Sequence, residues 1–183
     1  MKATGLVRRI DDLGRVAVPK EIRRMLHLRE GDPLEIYIED GKLIFRRYNP
    51  LAINSDAQEM ARHILSDIGF TRYAVYDTFT KLFGAKEFPR ELPDEIRIAC
   101  QINENCEWLE LELPGEKLLD RVQMYNKICV ARIMADKDLI GYLVCDANEI
   151  PASLSDVKDA SLVKRLQLLQ VAKTVSHLCT LSN

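Results

Sequence analysis

Eight lysine and arginine residues fall within residues 1–29 against three carboxylates, a local charge of +5 on a chain of 183 residues whose total is −2. Six of them, Arg8, Arg9, Arg15, Lys20, Arg23 and Arg24, surround the short run GRVAVPKEIRR. The chemistry open to such a set is polyanion recognition. A guanidinium forks onto two phosphate oxygens or onto a guanine edge, and an ammonium meets phosphate as a point charge. Phosphate contacts position a protein and base contacts specify its site, and arginines alone do not say which of the two they make. The rest of the chain is acidic: residues 49–183 hold 15 basic against 20 acidic side chains. A basic end on an acidic protein implies a local binding surface, not a generally adhesive one.

Other chemistries find little support. The sequence has no H-E-x-x-H, no G-x-S-x-G and no glycine-rich phosphate loop, and its three histidines, His27, His63 and His177, have no metal-ligand spacing. Neither an enzyme nor a cofactor is indicated, and no metal site is expected. The cysteines, Cys100, Cys106, Cys129, Cys145 and Cys179, are odd in number and contain no C-x-x-C, so buried reduced thiols are expected in place of a disulfide framework or a zinc site. Cys100 and Cys106 are near enough to raise a redox pair, which exposure and thiol acidity would have to support. Apolar runs fall well short of the roughly 18 residues a membrane helix needs, and MKATG has no signal-peptide core, so a cytoplasmic protein without membrane contact is expected.

The basic residues must be positioned by the elements around them. TGLVRRIDDLGRVAVP reads as strand, turn, strand, with Asp11, Asp12 and Gly14 at the turn. Consecutive strand residues point to opposite faces, so Arg8 and Arg9 diverge, and Arg8 is favoured for contact. Pro19 suits the first turn of a helix, and KEIRRML gives about two turns with Lys20, Arg23 and Arg24 opposite Ile22, Met25 and Leu26. LEIYIEDGKLIFRR predicts a hairpin around Asp40-Gly41. A two-residue loop places Glu39 opposite Lys42, Tyr37 opposite Ile44 and Glu35 opposite Arg46, with Ile38–Leu43 and Ile36–Phe45 on the other face. About 48 residues without metal or disulfide are marginal for an independent core, so a dimer whose strands complete one small barrel is expected.

MKATGLVRRIDDLGRVAVPKEIRRML, followed by LREGDPLEIYIEDGKLIFRRY, resembles the AbrB-type transition-state regulators of spore-forming bacteria across residues 1–50. The resemblance implies a swapped-hairpin β-barrel homodimer, binding to double-stranded DNA, and regulation of sporulation or transition-state genes. It implies Arg8, Arg15, Arg23 and Arg24 as the main contacts, with Arg9 also basic in the pattern. No helix of helix-turn-helix length is visible, so readout through DNA shape is expected beside direct contacts.

Residues 51–54 read as a linker after YNP, and residues 55–183 as a second domain. Ser55 and Gln58 form a capping-box pattern, apolar residues follow at helical spacing, and Gly69 stops the helix. Strands are expected at YAVYD, TKLFG, EWLELEL, NKICVARIMA and DLIGYLVCDA, with turn-rich or helical stretches at FPRELPDEI and PGEKLLDRV. A helix from about Ser153 to Leu178, apolar on two sides, closes the chain and is expected to be central or shared with another subunit. The fold class is therefore α+β, and this half is similar to GAF or PAS sensor domains: an antiparallel sheet with flanking helices. That resemblance implies a homotetramer through this domain and room for an unknown small-molecule effector. Tyr73, Tyr76, Trp108 and Tyr142, with Phe79, Phe83 and Tyr125 behind them, are the aromatics available to line a pocket.

Two readings follow. One is a transcription regulator whose basic dimer binds DNA while the second domain sets oligomeric state or senses a metabolite. The other is an antitoxin-like DNA-binding protein whose C-terminal part binds a protein partner. Antitoxin tails are extended and poor in core residues, whereas residues 55–183 carry helix stops, hairpins and aromatics, which favours the regulator.

Overall fold

A computed structural model describes residues 5–26, 28, 30–113 and 127–181. PGEKLLDRV and Tyr125 lie outside the described residues. The chain divides into two compact units, Met1–Tyr48 and Asn49–Asn183.

In the first unit, α1 (Lys20–Met25) follows Pro19, and the hairpin of β1 (Leu34–Glu39) and β2 (Lys42–Arg47) has the register expected from its charges, Glu35–Arg46 and Glu39–Lys42 included. Asp40 and Gly41 both take positive φ, 47° and 71°, the backbone a two-residue turn of this hand requires. Residues 5–19 differ from expectation. The turn forms, with Asp11 N–H donating to Arg15 O at 3.0 Å and Gly14 N–H to Asp11 O at 2.9 Å, but the flanking segments form no strand. Their β-branched residues have no ladder partner among the described residues of the single chain. None of the described residues 5–48 is buried; Ile36, Ile38, Leu43 and Phe45 share one exposed hairpin face, with Ile38 83% exposed.

The second unit is α+β. Five antiparallel strands, β3 (Tyr73–Tyr76), β4 (Lys81–Gly84), β5 (Trp108–Glu112), β6 (Lys127–Ala135) and β7 (Asp138–Asp146), form one sheet in the order β4-β3-β7-β6-β5. One face carries α2 (Pro50–Ile53), α3 (Ser55–Ile68) and α5 (Ala160–Leu181) over a core that includes Leu51, Leu65, Val75, Leu143, Leu168 and Val175. The other face packs Ala74, Ile128, Val130 and Val144 against Phe88, Leu92 and the Ile96 and Cys100 side of α4 (Asp94–Ile102). Alternation along each strand feeds both cores, so the sheet is buried on both sides.

Residues 51–54, expected as a linker, belong to this unit. Asn49, only 7% exposed, caps α2 by accepting from the N–H groups of Leu51 and Ala52, its Nδ2 donates to Ile140 O at 2.7 Å, and Leu51 is fully buried. The N-cap of α3 is Asn54, which accepts from Ala57 N–H, and not Ser55; Gln58 turns back to donate to the carbonyls of Leu51 and Ala52. Gly69 closes α3 in the left-handed region. The last helix starts later than its apolar pattern indicates. Ala152–Leu154 form a single 3-10 turn, Ser153 Oγ donates to Ile68 O, and Asp159 at φ 61° breaks the path before α5 begins.

Candidate nucleic-acid interface

Asp11 organises the turn that carries the first basic residues. Its Oδ1 accepts from Leu13 N–H at 3.0 Å and Arg15 N–H at 2.8 Å, and its Oδ2 takes Arg15 Nε at 2.9 Å. The hydrogen bond from Arg15 N–H, then the one from its guanidinium, holds the Asp11 carboxyl below the usual carboxylate range. Aspartate suits a turn because its short side chain can bond the backbone two and more residues on. The pair is solvent-exposed, with 72% of the Arg15 side chain accessible, so its value lies in orientation. Arg8 donates from Nη1 to Val7 O at 3.1 Å, and both Arg8 and Arg9 are exposed.

Pro19 lacks an N–H that would go unbonded there, and its carbonyl accepts from Arg23 N–H at 2.9 Å. Lys20, Arg23 and Arg24 on α1 are all exposed. Leu28 N–H donates to Arg23 O at 2.8 Å, and Arg47 at the end of β2 reaches Leu26 O and Asp32 at 3.4 Å, which ties α1 to the hairpin. All six basic residues singled out in the sequence therefore lie exposed on one small unit, on its turn and its helix.

The four aromatics expected to line a pocket are not brought together. Tyr76 and Tyr142 are paired neighbours on β3 and β7, both buried on the α4 side, where Tyr76 Oη donates to Pro89 O at 2.9 Å. Tyr73 and Trp108 pack on the opposite face against the α3 and α5 core, Tyr73 edge-on to Phe83. The sheet separates the two pairs. A cavity of about 470 Å³ lies elsewhere, lined by Gly69, Thr71, Arg72 and residues 148–152, and is polar in character. Cys100 is buried in the α4 core while Cys106 is exposed, so those two thiols occupy different environments.

Two functional features escaped the sequence. One is Asp11 as the organiser of Arg15, for which the four-residue spacing was a signal. The other is Lys164, near the start of α5, whose buried Nζ donates to the carbonyls of Asp146, Ala147 and Glu149. Glu149 in turn accepts from Thr71 Oγ1 and from the N–H groups of Thr71 and Arg72. Among the described residues no group of three His, Cys, Asp or Glu could hold a metal ion, and no helix is long and apolar enough to cross a membrane.

An exposed arginine turn and helix on a small hairpin unit, joined to a separate two-faced α+β unit, define a two-domain protein of the AbrB-type regulator class. The family described as antidote-toxin recognition MazE, bacterial antitoxin, matches residues 7–50. Stage V sporulation protein T of Bacillus subtilis (strain 168) is 37% identical over 150 residues, covering 79% of this chain and 84% of that protein, and the chain belongs to the stage V sporulation protein T family. The N-terminal DNA recognition domain of the Bacillus subtilis transition-state regulator AbrB is 54% identical over 27% of this chain and 94% of that one, with a TM-score of 0.24. A GAF domain/HD domain protein from Geobacter sulfurreducens is 18% identical over 70% of this chain and 95% of that one, with a TM-score of 0.44.

Proposed function

We propose that this protein is a DNA-binding transcription regulator of sporulation or transition-state genes, acting as a homodimer through its first unit and a homotetramer through its second. The observation that carries the reading is a coincidence within Met1–Tyr48. The exposed basic turn and helix share a unit with Leu6, Val7, Ile10, Leu13, Ile36, Ile38, Leu43 and Phe45, all exposed in the single chain. Eight apolar side chains in so small a unit need a cover, and a second copy supplies strands beside the extended segments that flank the Asp11 turn. The same step presents the basic face twice, as a duplex with two strands of phosphates can use. The DNA recognition domain named in the AbrB relative, and the sporulation role in the name of the longer relative, support this reading.

Arg8, Arg15, Arg23 and Arg24 are the main contacts in this proposal, with Arg9 and Lys20 adding phosphate neutralisation. In the second unit α5 turns Leu162 and Leu166 outward, a second apolar stripe beside the one it buries, and this is the surface assigned to tetramer formation. Assembly raises affinity through effective concentration instead of new contacts per subunit. No effector site is part of the proposal, because the aromatics that could have formed one lie on opposite faces of the sheet. The antitoxin reading has less support, since residues 49–181 hold two cores of their own where a partner-binding tail would be extended.

The test is the affinity of full-length protein for a promoter-length duplex across a salt series, beside the Arg23→Ala, Arg24→Ala double variant. Each neutralised phosphate contributes roughly 0.9 to the slope of log affinity on log salt, so losing two arginines from each of two copies flattens it by up to about 3 to 4. An unchanged slope would remove α1 from the interface and the proposal with it.

A further inference from the structure

Cys129 on β6 and Cys145 on β7 are directly opposite in the ladder, and both side chains enter the core beneath α5. Ala147 N–H donates to Lys127 O at 3.0 Å, and the register continued from Ile128–Asp146 sets Lys127 against Ala147, two places along from the cysteines. Antiparallel pairs alternate between hydrogen-bonded and open, so Cys129–Cys145 is a hydrogen-bonded pair, for which Cα atoms are about 5.5 Å apart. That Cα spacing lies in the range a disulfide spans, while the Cβ atoms of such a pair, about 5.5 Å apart, must close to about 4 Å as the S–S bond forms.

A fixed positive charge stands beside them. Lys164 Nζ is held at 2.7 Å by Asp146 O, the carbonyl of the residue after Cys145, and its charge favours the thiolate form of both cysteines. We propose that Cys129 and Cys145 form a dithiol site that hydroperoxides oxidise to a cross-strand disulfide. Interaction between the two thiols holds Cys129 below its ordinary range, while the same interaction and burial push Cys145 up, and in this proposal Cys129 is the nucleophile. Cys100 and Cys179 are as deeply placed, but burial pushes each up to about 11.

The Cys129 thiolate attacks the terminal peroxide oxygen, the O–O bond breaks, and the leaving oxygen takes the proton that Cys129 lost. Water leaves from hydrogen peroxide, and an alcohol leaves from an organic hydroperoxide. The Cys145 sulfur then attacks the resulting sulfenic sulfur, an S–S bond forms, the S–O bond breaks, and hydroxide departs with the Cys145 proton as water. Two thiols are oxidised and one peroxide is reduced. Cys129 and Cys145 are 3% and 1% exposed, so the reaction waits on local opening, which a water-sized oxidant needs least of any.

The test treats full-length protein with hydrogen peroxide over a time course, alkylates the remaining thiols after denaturation, and maps the peptides by mass spectrometry. Cys129 and Cys145 are expected to lose alkylation together and to appear as one cross-linked pair, reversed by dithiothreitol, while Cys100 and Cys179 remain alkylated. Cys129→Ser should abolish the cross-link and leave Cys145 alkylated. Oxidation confined to exposed Cys106, or Cys129 carried to sulfinic acid with Cys145 intact, would overturn the proposal. The wild-type map decides this alone, so it stands even where the serine variant folds poorly.

Discussion

Lys164→Met tests whether one buried ammonium holds the end of β7 to α5. Lys164 is 2% exposed, and its Nζ donates to the carbonyls of Asp146 at 2.7 Å, Ala147 at 3.0 Å and Glu149 at 2.7 Å. Methionine fills most of the space of the lysine stem, so the cavity term is small and the loss is polar. The carbonyl of Glu149 would lose the ammonium that bonds it, and that of Asp146 would keep only the 3.4 Å bond from Glu149 N–H, at about 1–3 kcal/mol each. Relief from burying a charge offsets part of this. The net expectation is about 3 kcal/mol of destabilisation, or roughly 6–12 °C in Tm for a chain of this size. Urea denaturation followed by the fluorescence of the single tryptophan, Trp108, reports this unit directly. The variant should shift the midpoint at constant slope. A loss under about 1 kcal/mol would mean that the charge burial cancels the three bonds, and the account of this loop would fail.

Two further outcomes are specific to named atoms. Asp11 should titrate below 3.8 in a carboxyl-detected NMR series, because its partners favour the carboxylate. A depressed folded value means the turn's contribution is full above the unfolded value and is lost only as pH falls through the lower one; Arg15→Ala should bring the midpoint part of the way back, since the bond from the residue 15 N–H remains. Gly141→Ala should destabilise the second unit by about 1–3 kcal/mol in the same urea assay. Its new Cβ would sit 2.4 Å from Tyr76 O and 2.5 Å from Leu51 Cδ2, and unaltered stability would show that the β3 backbone and Leu51 both yield without cost.

The hairpin of the first unit was legible to the residue because Asp40-Gly41 fixes a two-residue turn, and two opposite-charge pairs then confirm the register. The five strands of the second unit were legible for a similar local reason, their β-branched and aromatic runs being bounded by turns. The pocket failed on parity that the sequence did contain: Tyr73 and Tyr76 are three apart on one strand, so they face opposite ways. Lys164 was not legible, because its partners are carbonyls of residues 146–149 on a distant loop, which no side-chain pattern reveals. The edges of the first unit were illegible in another sense. A strand needs a neighbour, and in the proposed dimer a second copy supplies one to the segments that flank the Asp11 turn.

The pairing of Cys129 with Cys145 depends on one irregularity that also shapes the start of the second unit. The Asp136-Lys137 turn sets Ala135 opposite Asp138 and Met134 opposite Leu139, a register that would place Cys129 against Val144. Beyond Met134 the ladder shifts by one, Ile133 faces Gly141, and Ile140 is left without a partner. Such a bulge frees a backbone group that must be satisfied elsewhere. Here the freed carbonyl of Ile140 receives Asn49 Nδ2 at 2.7 Å, the first residue of the second unit. The next strand residue is glycine, and the space its missing Cβ leaves is taken by Tyr76 O and Leu51 Cδ2. One inserted residue in β7 thus accounts for three observations at once: the opposed thiols, the buried cap that holds Asn49, and a glycine in the middle of a strand. It also explains why residues 51–54 cannot behave as a linker, since the bulge gives them an acceptor and a socket, and burial of Leu51 contributes about 1.5–3 kcal/mol to keeping them there.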